Sequence, residues 1–230
     1  MNKLMRIHIL ITFLCFSIVS CNEKVEVDFA IDGTSIPIDS TLNPDKSITE
    51  IYAPYKLGLD SIMNEVLCYS PYFLEKSKPE SRLSNWMADV CLSTLEDKYE
   101  GDFCLLNYGG IRSTLPKGDI TTKNIFQIMP FENELVIIEI PVSSFTKALN
   151  YLKQSEGHPI SGIELNIQND QLTHSLNSNG SVKVATSDYL ANGGDKMSFF
   201  NQKVQKKLNL KLRDAIINHC KRQDTLNITI

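Results

Sequence analysis

Hydrophobic positions first form one continuous block, then helical stripes, then strand-like runs. The block is Ile9–Val19, well short of the ~20 apolar residues a membrane span needs. Tyr55, Leu59, Ile62, Met63 and Val66 then recur at helical spacing, which predicts a helix over Tyr55–Leu67. The clearest helix is Ser81–Tyr99. Pro79 precedes it, Ser81 is placed to cap it, and Leu83, Trp86, Met87, Val90, Cys91 and Leu95 form one stripe. Asp102–Asn107 reads as a short strand. Glu134–Val142 is almost continuously apolar, the mark of a strand central in a sheet, and Pro141 stops it. Ser143–Lys153 reads as a helix capped by Ser143 or Ser144, with Phe145, Ala148, Leu149 and Leu152 inward. Ile163, Leu165 and Ile167 alternate with polar residues, so Gly162–Gln168 is expected as a half-buried strand. Asn179-Gly180 is a hairpin-turn signal, with Ser181–Thr186 returning as a strand. Lys203–Arg222 has the spacing of an amphipathic helix, with Val204, Leu208, Leu212, Ala215 and Ile216 inward. Leu226–Ile230 is placed to close the chain as a strand. This order of elements predicts a single domain of α+β (mixed α/β) class, a mixed sheet packed against helices, over residues 48–230.

Composition excludes several classes. With 42% hydrophobic and 22% charged residues, the chain has the balance of a folded domain rather than a disordered one. The net charge of −4 argues against a nucleic-acid duplex as partner, since such proteins present a basic face. Lys3 and Arg6 precede the apolar block, which ends in Ile18-Val19-Ser20-Cys21. That ending resembles the bacterial lipobox. The resemblance implies a signal peptide over residues 1–20, cleavage before Cys21 and acylation of Cys21. It implies a lipid-anchored protein of the bacterial cell envelope, exported, with residues 21–47 as tether. Of the 6 cysteines, Cys15 and Cys21 fall in this leader. Cys68, Cys91, Cys104 and Cys220 remain. They allow three pairings, and the sequence leaves both buried thiols and a disulfide open.

No self-contained catalytic centre is visible. His158, His174 and His219 lie far apart, without D-x-H, H-E-x-x-H, G-x-S-x-G or a Walker loop. Asn218-His219-Cys220, followed by Lys221 and Arg222, reads as helix surface. No metal site and no catalytic residue is therefore expected in this chain. Binding chemistry is more visible. In Asn107-Tyr108-Gly109-Gly110-Ile111-Arg112, two glycines after a strand let backbone approach a ligand, and the Arg can fork two hydrogen bonds onto a phosphate or carboxylate. Pro130-Phe131-Glu132-Asn133 follows. Later, Ser187-Asp188-Tyr189-Leu190-Ala191-Asn192-Gly193-Gly194-Asp195 runs from a strand into a Gly-Gly-Asp loop that can offer N–H groups and a carboxylate to a sugar or a base.

In this order the three stretches resemble the C-terminal domain of the 5′-nucleotidase family. The likeness extends upstream to Pro79-Glu80-Ser81-Arg82-Leu83-Ser84-Asn85. It covers roughly Ile51 to Phe200. It implies a substrate site in which Arg112 binds phosphate, Asn107, Gly109, Gly110 and Gly194 line the nucleotide, Phe131 and Tyr189 sandwich the base, Asn133 contacts the base and Asp195 holds ribose hydroxyls. The chain departs from the family at Tyr108 and Glu132, where glycines are usual, and at Tyr189, where Phe is usual. Lys76 and Lys78 stand where a further Arg is expected.

In the family, hydrolysis belongs to a preceding metallophosphoesterase domain that binds two metals. Here the leader runs directly into the C-terminal-type domain. The resemblance thus implies the binding half of a split 5′-nucleotidase in nucleotide breakdown, with an AMP-like nucleotide or nucleoside as ligand. Divalent metals would be held only by a partner metallophosphoesterase chain. A stand-alone nucleotide-binding lipoprotein and a remnant that keeps its loops for folding are the alternatives.

Overall fold

One strand, Glu134–Pro141, is buried on both faces, and the rest of the domain is arranged about it. The computed structural model describes residues 33, 35–95, 99–177, 180–200 and 205–228. The expected signal peptide, Cys21 and the start of the tether lie outside the described residues. The chain divides into Met1–Lys46 and Ser47–Ile230. In the first unit the described residues are exposed, with one turn where Asp39 Oδ1 accepts from the Thr41 amide at 2.8 Å.

The second unit has this order: helix α1 (Lys46–Met63), β1 (Val66–Ser70), α2 (Arg82–Ser93), β2 (Phe103–Leu105), β3 (Gly118–Thr121), α3 (Thr122–Ile128), β4 (Glu134–Pro141), α4 (Val142–Gln154), β5 (Ile160–Ser161), β6 (Leu165–Gln168), β7 (Gln171–His174), β8 (Ser181–Ser187), α5 (Asp188–Ala191), β9 (Gln205–Lys211) and α6 (Leu212–Lys221). The main sheet runs β5-β2-β8-β4-β9. β2 and β8 are parallel, while β4 is antiparallel to both β8 and β9. The sheet is therefore mixed, as expected. Two small antiparallel pairs, β1–β3 and β6–β7, stand apart from it.

Alternate residues of the main strands feed two separate cores. Leu135, Ile137, Cys104 and Ala185 pack with α2, α3 and α6. Val136, Ile138, Ile140, Phe103, Leu105, Val182 and Val184 pack with α4 and the Phe199-Phe200 turn. Because β4 serves both, its sequence reads as a continuous apolar run. At ~1.5–3 kcal/mol per fully buried large side chain, this strand is the main hydrophobic anchor of the fold.

Helix α2 starts and buries its stripe as expected but ends at Ser93, with Thr94 as its C-cap, rather than running to Tyr99. Ser81 accepts from the Ser84 amide, and the whole predicted stripe is buried. Other elements differ. α1 begins at Lys46 and stops at Met63, none of its residues is buried, and Val66–Leu67 belong to β1. Helix α4 begins at Val142, with Pro141 in the cap position and no side-chain cap from Ser143 or Ser144. The fixed ring of Pro141 ends β4 and already sets the φ that the helix entry needs. The expected strand Gly162–Gln168 is shortened to β6, Leu165–Gln168; Gly162, at φ 81°, separates it from β5, which joins a different sheet. The hairpin turn that follows is Asn169-Asp170, with φ of 48° and 65°, the left-handed pair of a two-residue turn. Gly180 instead precedes β8, and Asn179 lies outside the described residues. The expected helix Lys203–Arg222 is half strand. Lys203 and Val204 are outside the described residues, Gln205–Lys211 is β9, and only Leu212–Lys221 is helical. Pairing with β4 outweighs helical spacing there, since a lone amphipathic stretch has little intrinsic stability. Of the expected closing strand, residues 226–228 are not strand and residues 229–230 lie outside the described residues; Thr225, just before it, bridges Tyr69, and Leu226 is buried.

Candidate ligand-binding site

Sheet direction brings the three sequence motifs together. The chain leaves β2 at Leu105 and β8 at Ser187, and these strands are parallel, so both exits lie at the same end. Antiparallel β4 is entered at that end too. The loops Asn107–Arg112, Phe131–Asn133 and Tyr189–Asp195 therefore converge. Asn107, Gly109, Gly110, Arg112, Phe131, Asn133, Tyr189 and Asp195 line one cleft of about 320 Å³. Gly194, the remaining candidate, lies beneath the Tyr189 ring, where a Cβ would sit 2.5 Å from the ring carbons.

The first loop is a single tight turn over Tyr108–Gly110. A Cβ on Gly110 would come within 2.6 Å of Asn107 Oδ1, so only glycine fits beside that side chain. Tyr108 does not line the cleft. Its ring faces away, with Lys76 Nζ 4.3 Å and Lys78 Nζ 5.4 Å from the centroid. Lys76 also donates to Ile111 O at 2.6 Å. Burial, then the charge of Arg112, pushes the Lys76 ammonium pKa down. Arg112 donates to Gly109 O at 3.3 Å and lies 5.6 Å from the Phe131 centroid. Its guanidinium is exposed and has no carboxylate partner among the described residues.

Arg213, in the first turn of α6, holds the second loop. It is buried, its Nη1 donates to Phe131 O at 3.2 Å, and its Nη2 pairs with Glu132. The Phe126 ring packs 4.0 Å from the guanidinium carbon. Lys211 also pairs with Glu132. Together these two cations, acting through their hydrogen bonds, pull the Glu132 carboxyl down to about 2. The Glu132 charge is thus compensated within the protein.

The third loop is drawn tight on Asp195. Ser187 caps α5, and Asp188 Oδ1 accepts from the amides of Tyr189 and Glu134 at 2.8 and 3.1 Å, joining α5 to the start of β4. Asp195 adopts φ 49°. Its Oδ2 accepts from Asn107 Nδ2 at 2.6 Å, and its Oδ1 accepts from the Tyr189 hydroxyl at 2.9 Å. The Tyr151 hydroxyl donates to its carbonyl at 2.9 Å. Each carboxylate oxygen keeps a lone pair for a further donor. The geometry fits a planar apolar ring, a vicinal diol and an anion in one cleft.

Two contributors carry no local sequence signal. His158 Nδ1 accepts from the Tyr108 amide at 3.1 Å, and its ring stacks on Tyr151 at 5.3 Å. Burial, with Lys78 adding, pushes the His158 imidazole down to about 4. An unfolded His titrates near ~6.5, so the unfolded chain binds more protons between these values. The stability that neutral His158 supports is complete above that range and is lost as pH falls towards 4. A His158→Asn variant keeps an acceptor for the Tyr108 amide but does not titrate. Its thermal midpoint is expected to drop less than the parent's between pH 7 and pH 5. An equal drop would place the acid sensitivity elsewhere. His219, read from sequence as surface, is half-buried with its ring edge-on to Trp86 at 6.2 Å. Among the described residues no group of three or more His, Cys, Asp or Glu is placed to hold a metal.

Comparison with known proteins bears on the family and the fold. The family described as 5′-nucleotidase, C-terminal domain, matches residues 69–202. A 5′-nucleotidase of Vibrio parahaemolyticus is 23% identical over 202 residues, covering 80% of this chain and 35% of the relative. The trifunctional nucleotide phosphoesterase protein YfkN of Bacillus subtilis is 24% identical over 213 residues, covering 80% of this chain and 14% of that protein. The solved 5′-nucleotidase precursor of Thermus thermophilus shares the fold at a TM-score of 0.67 and 18% identity, covering 81% of this chain and 42% of that one. The chain thus spans well under half the length of these relatives. It belongs to the family of 5′-nucleotidase C-terminal domains.

Proposed function

We propose that this domain binds the nucleotide for a 5′-nucleotidase-type hydrolase, with an AMP-like ligand in the cleft. Arg112 grips the phosphate, Phe131 and Tyr189 hold the base, Asn133 contacts it, and Asp195 takes the ribose hydroxyls. A separate metallophosphoesterase chain supplies the divalent metals and performs the hydrolysis. Cys21 carries the lipid that holds the module at the cell envelope. The observation that carries this reading is the cleft itself. Three loops far apart in sequence meet with a guanidinium that has no carboxylate partner among the described residues, two aromatic rings and a carboxylate facing one space.

The partner chain is supported by exposed rings near the site. Tyr72 and Phe73 are 43% and 59% exposed. They lie on a segment tied to the Arg112 loop through the Leu74–Leu115 bridge and the Lys76 contact to Ile111. Rings left in water beside a ligand cleft suit burial against a second protein.

Calorimetric titration of AMP and adenosine into the protein tests the reading. Binding in the range of about millimolar to tens of micromolar is expected, with AMP the tighter ligand. Tyr189→Ala is expected to weaken both ligands by about 5- to 10-fold, the low end of aromatic stacking because the ring is half exposed. Absence of binding for both ligands at millimolar concentration, or an unchanged Tyr189→Ala variant, would count against the proposed site.

A further inference from the structure

Cys68, Cys91, Cys104 and Cys220 are all buried, free thiols in this structure. They are not scattered. All four lie in one apolar core, and the thiols of Cys68 and Cys220 act on one another, as Cys91 acts on Cys104. Of the three pairings open to the sequence, the fold leaves one.

The two pairs differ in their surroundings. Cys68 lies in a seam clamped on both sides. Before it, Glu65 Oε1 meets Lys221 Nζ at 2.9 Å. After it, the Tyr69 amide donates to Asp224 O at 2.9 Å, and the Leu226 amide donates to Tyr69 O at 2.8 Å. Cys220 directly precedes Lys221, so these contacts hold β1 against the end of α6 with the two sulfurs together. Cys68 alone of the four retains exposure, 5%, whereas Cys220, Cys91 and Cys104 have none. We propose that Cys68 and Cys220 form a disulfide joining the first strand to the last helix, while Cys91 and Cys104 remain thiols.

The chemistry is thiol–disulfide exchange with a small-molecule or protein disulfide as oxidant. The Cys68 thiolate attacks one oxidant sulfur. The oxidant S–S bond breaks, one oxidant thiolate leaves, and a mixed disulfide forms. Cys220 then loses its proton and attacks the Cys68 sulfur, expelling the second oxidant thiolate. Two protein thiols are oxidised and one oxidant disulfide is reduced to two thiols. Cys68, the member that keeps some exposure, is the first attacker. Cys91 and Cys104, both without exposure, offer an oxidant no sulfur to reach. Exchange takes place when the seam opens locally.

The bond would close a loop containing every candidate ligand-binding residue from Asn107 to Asp195. It would also tie down α6, whose first turn carries Arg213. Long loops of this kind restrict the unfolded chain most.

The test incubates reduced protein with oxidised glutathione, alkylates it with N-ethylmaleimide in denaturant, and maps peptides without reduction. The expected result is one linked pair containing Cys68 and Cys220, with Cys91 and Cys104 alkylated and two glutathione molecules released per link. The thermal midpoint rises by about 5–10 °C over the reduced form. Cys68→Ser loses the link and melts at one temperature with or without oxidised glutathione. Alkylation of all four cysteines, glutathione retained as a stable adduct, or a link involving Cys91 or Cys104 would overturn the proposal. Should Cys68→Ser fail to fold, the parent peptide map decides alone.

Discussion

Arg112→Ala is expected to weaken AMP binding by about 10- to 100-fold and to leave adenosine binding unchanged. The magnitude follows from a charge-assisted hydrogen bond, which contributes ~1.5–3 kcal/mol. The selectivity follows from the surroundings. Arg112 donates weakly at 3.3 Å to Gly109 O, lies 5.6 Å from the Phe131 centroid and is exposed, so its removal disturbs little of the fold. Lys76 cannot stand in. Its ammonium is spent on Ile111 O at 2.6 Å and on the Tyr108 ring. It also offers a point charge rather than a fork. Titration of both ligands into the variant reads the result directly. Equal losses for AMP and adenosine would mean that Arg112 shapes the cleft rather than reading phosphate.

A second replacement, Arg213→Met, should give the opposite pattern. Here both ligands are expected to bind about 10-fold more weakly, and the fold to lose ~1–3 kcal/mol. Methionine keeps an apolar side chain of similar length but loses the guanidinium that packs on Phe126, abandons Phe131 O and leaves Glu132 only Lys211. The Phe131 ring then loses the brace that fixes its loop. Arg213→Lys keeps the charge without the fork, so it is expected to recover stability more than affinity. Denaturant midpoints beside calorimetry separate the two effects. A variant with unchanged affinity would show that Phe131 is placed by the backbone alone.

Legibility in the sequence divided along physical lines. The three ligand loops could be found because each is a short run of unusual residues. Their meeting needed only the strand order that the same runs flank. Arg213, Tyr151 and His158 were not found, because each acts alone from an otherwise ordinary element. One signal existed for Arg213. It shares the buried phase of α6 with Ile216 and Cys220, and an Arg on an apolar stripe needs a partner. Burial of α2 was legible from its stripe and cap, whereas α1 shows that a stripe alone does not name what covers it. β9 was misread because Leu208 and Leu212 fit helical spacing, and nothing local reveals that β4 offers an open edge. Asn169-Asp170 was passed over in favour of Asn179-Gly180, although both dipeptides suit left-handed backbone.

The doubly buried strand carries a consequence for how the chain finds its register. In a strand with one wet face, a slip of one residue drives polar side chains into the core and is rejected. Over most of β4 that safeguard is weak, since Leu135 to Ile138 are all apolar and buried and only Glu139 interrupts the run. Its alignment must be set by its ends. At one end the Glu134 amide meets Asp188; towards the other, Ser181 reaches Glu139 and Pro141 halts the run. The Asp188 clasp also places Tyr189 over the cleft. An Asp188→Ala chain should therefore fold with strand misalignment as its characteristic error, visible as slow, heterogeneous refolding, and every misaligned molecule would lack a ligand site.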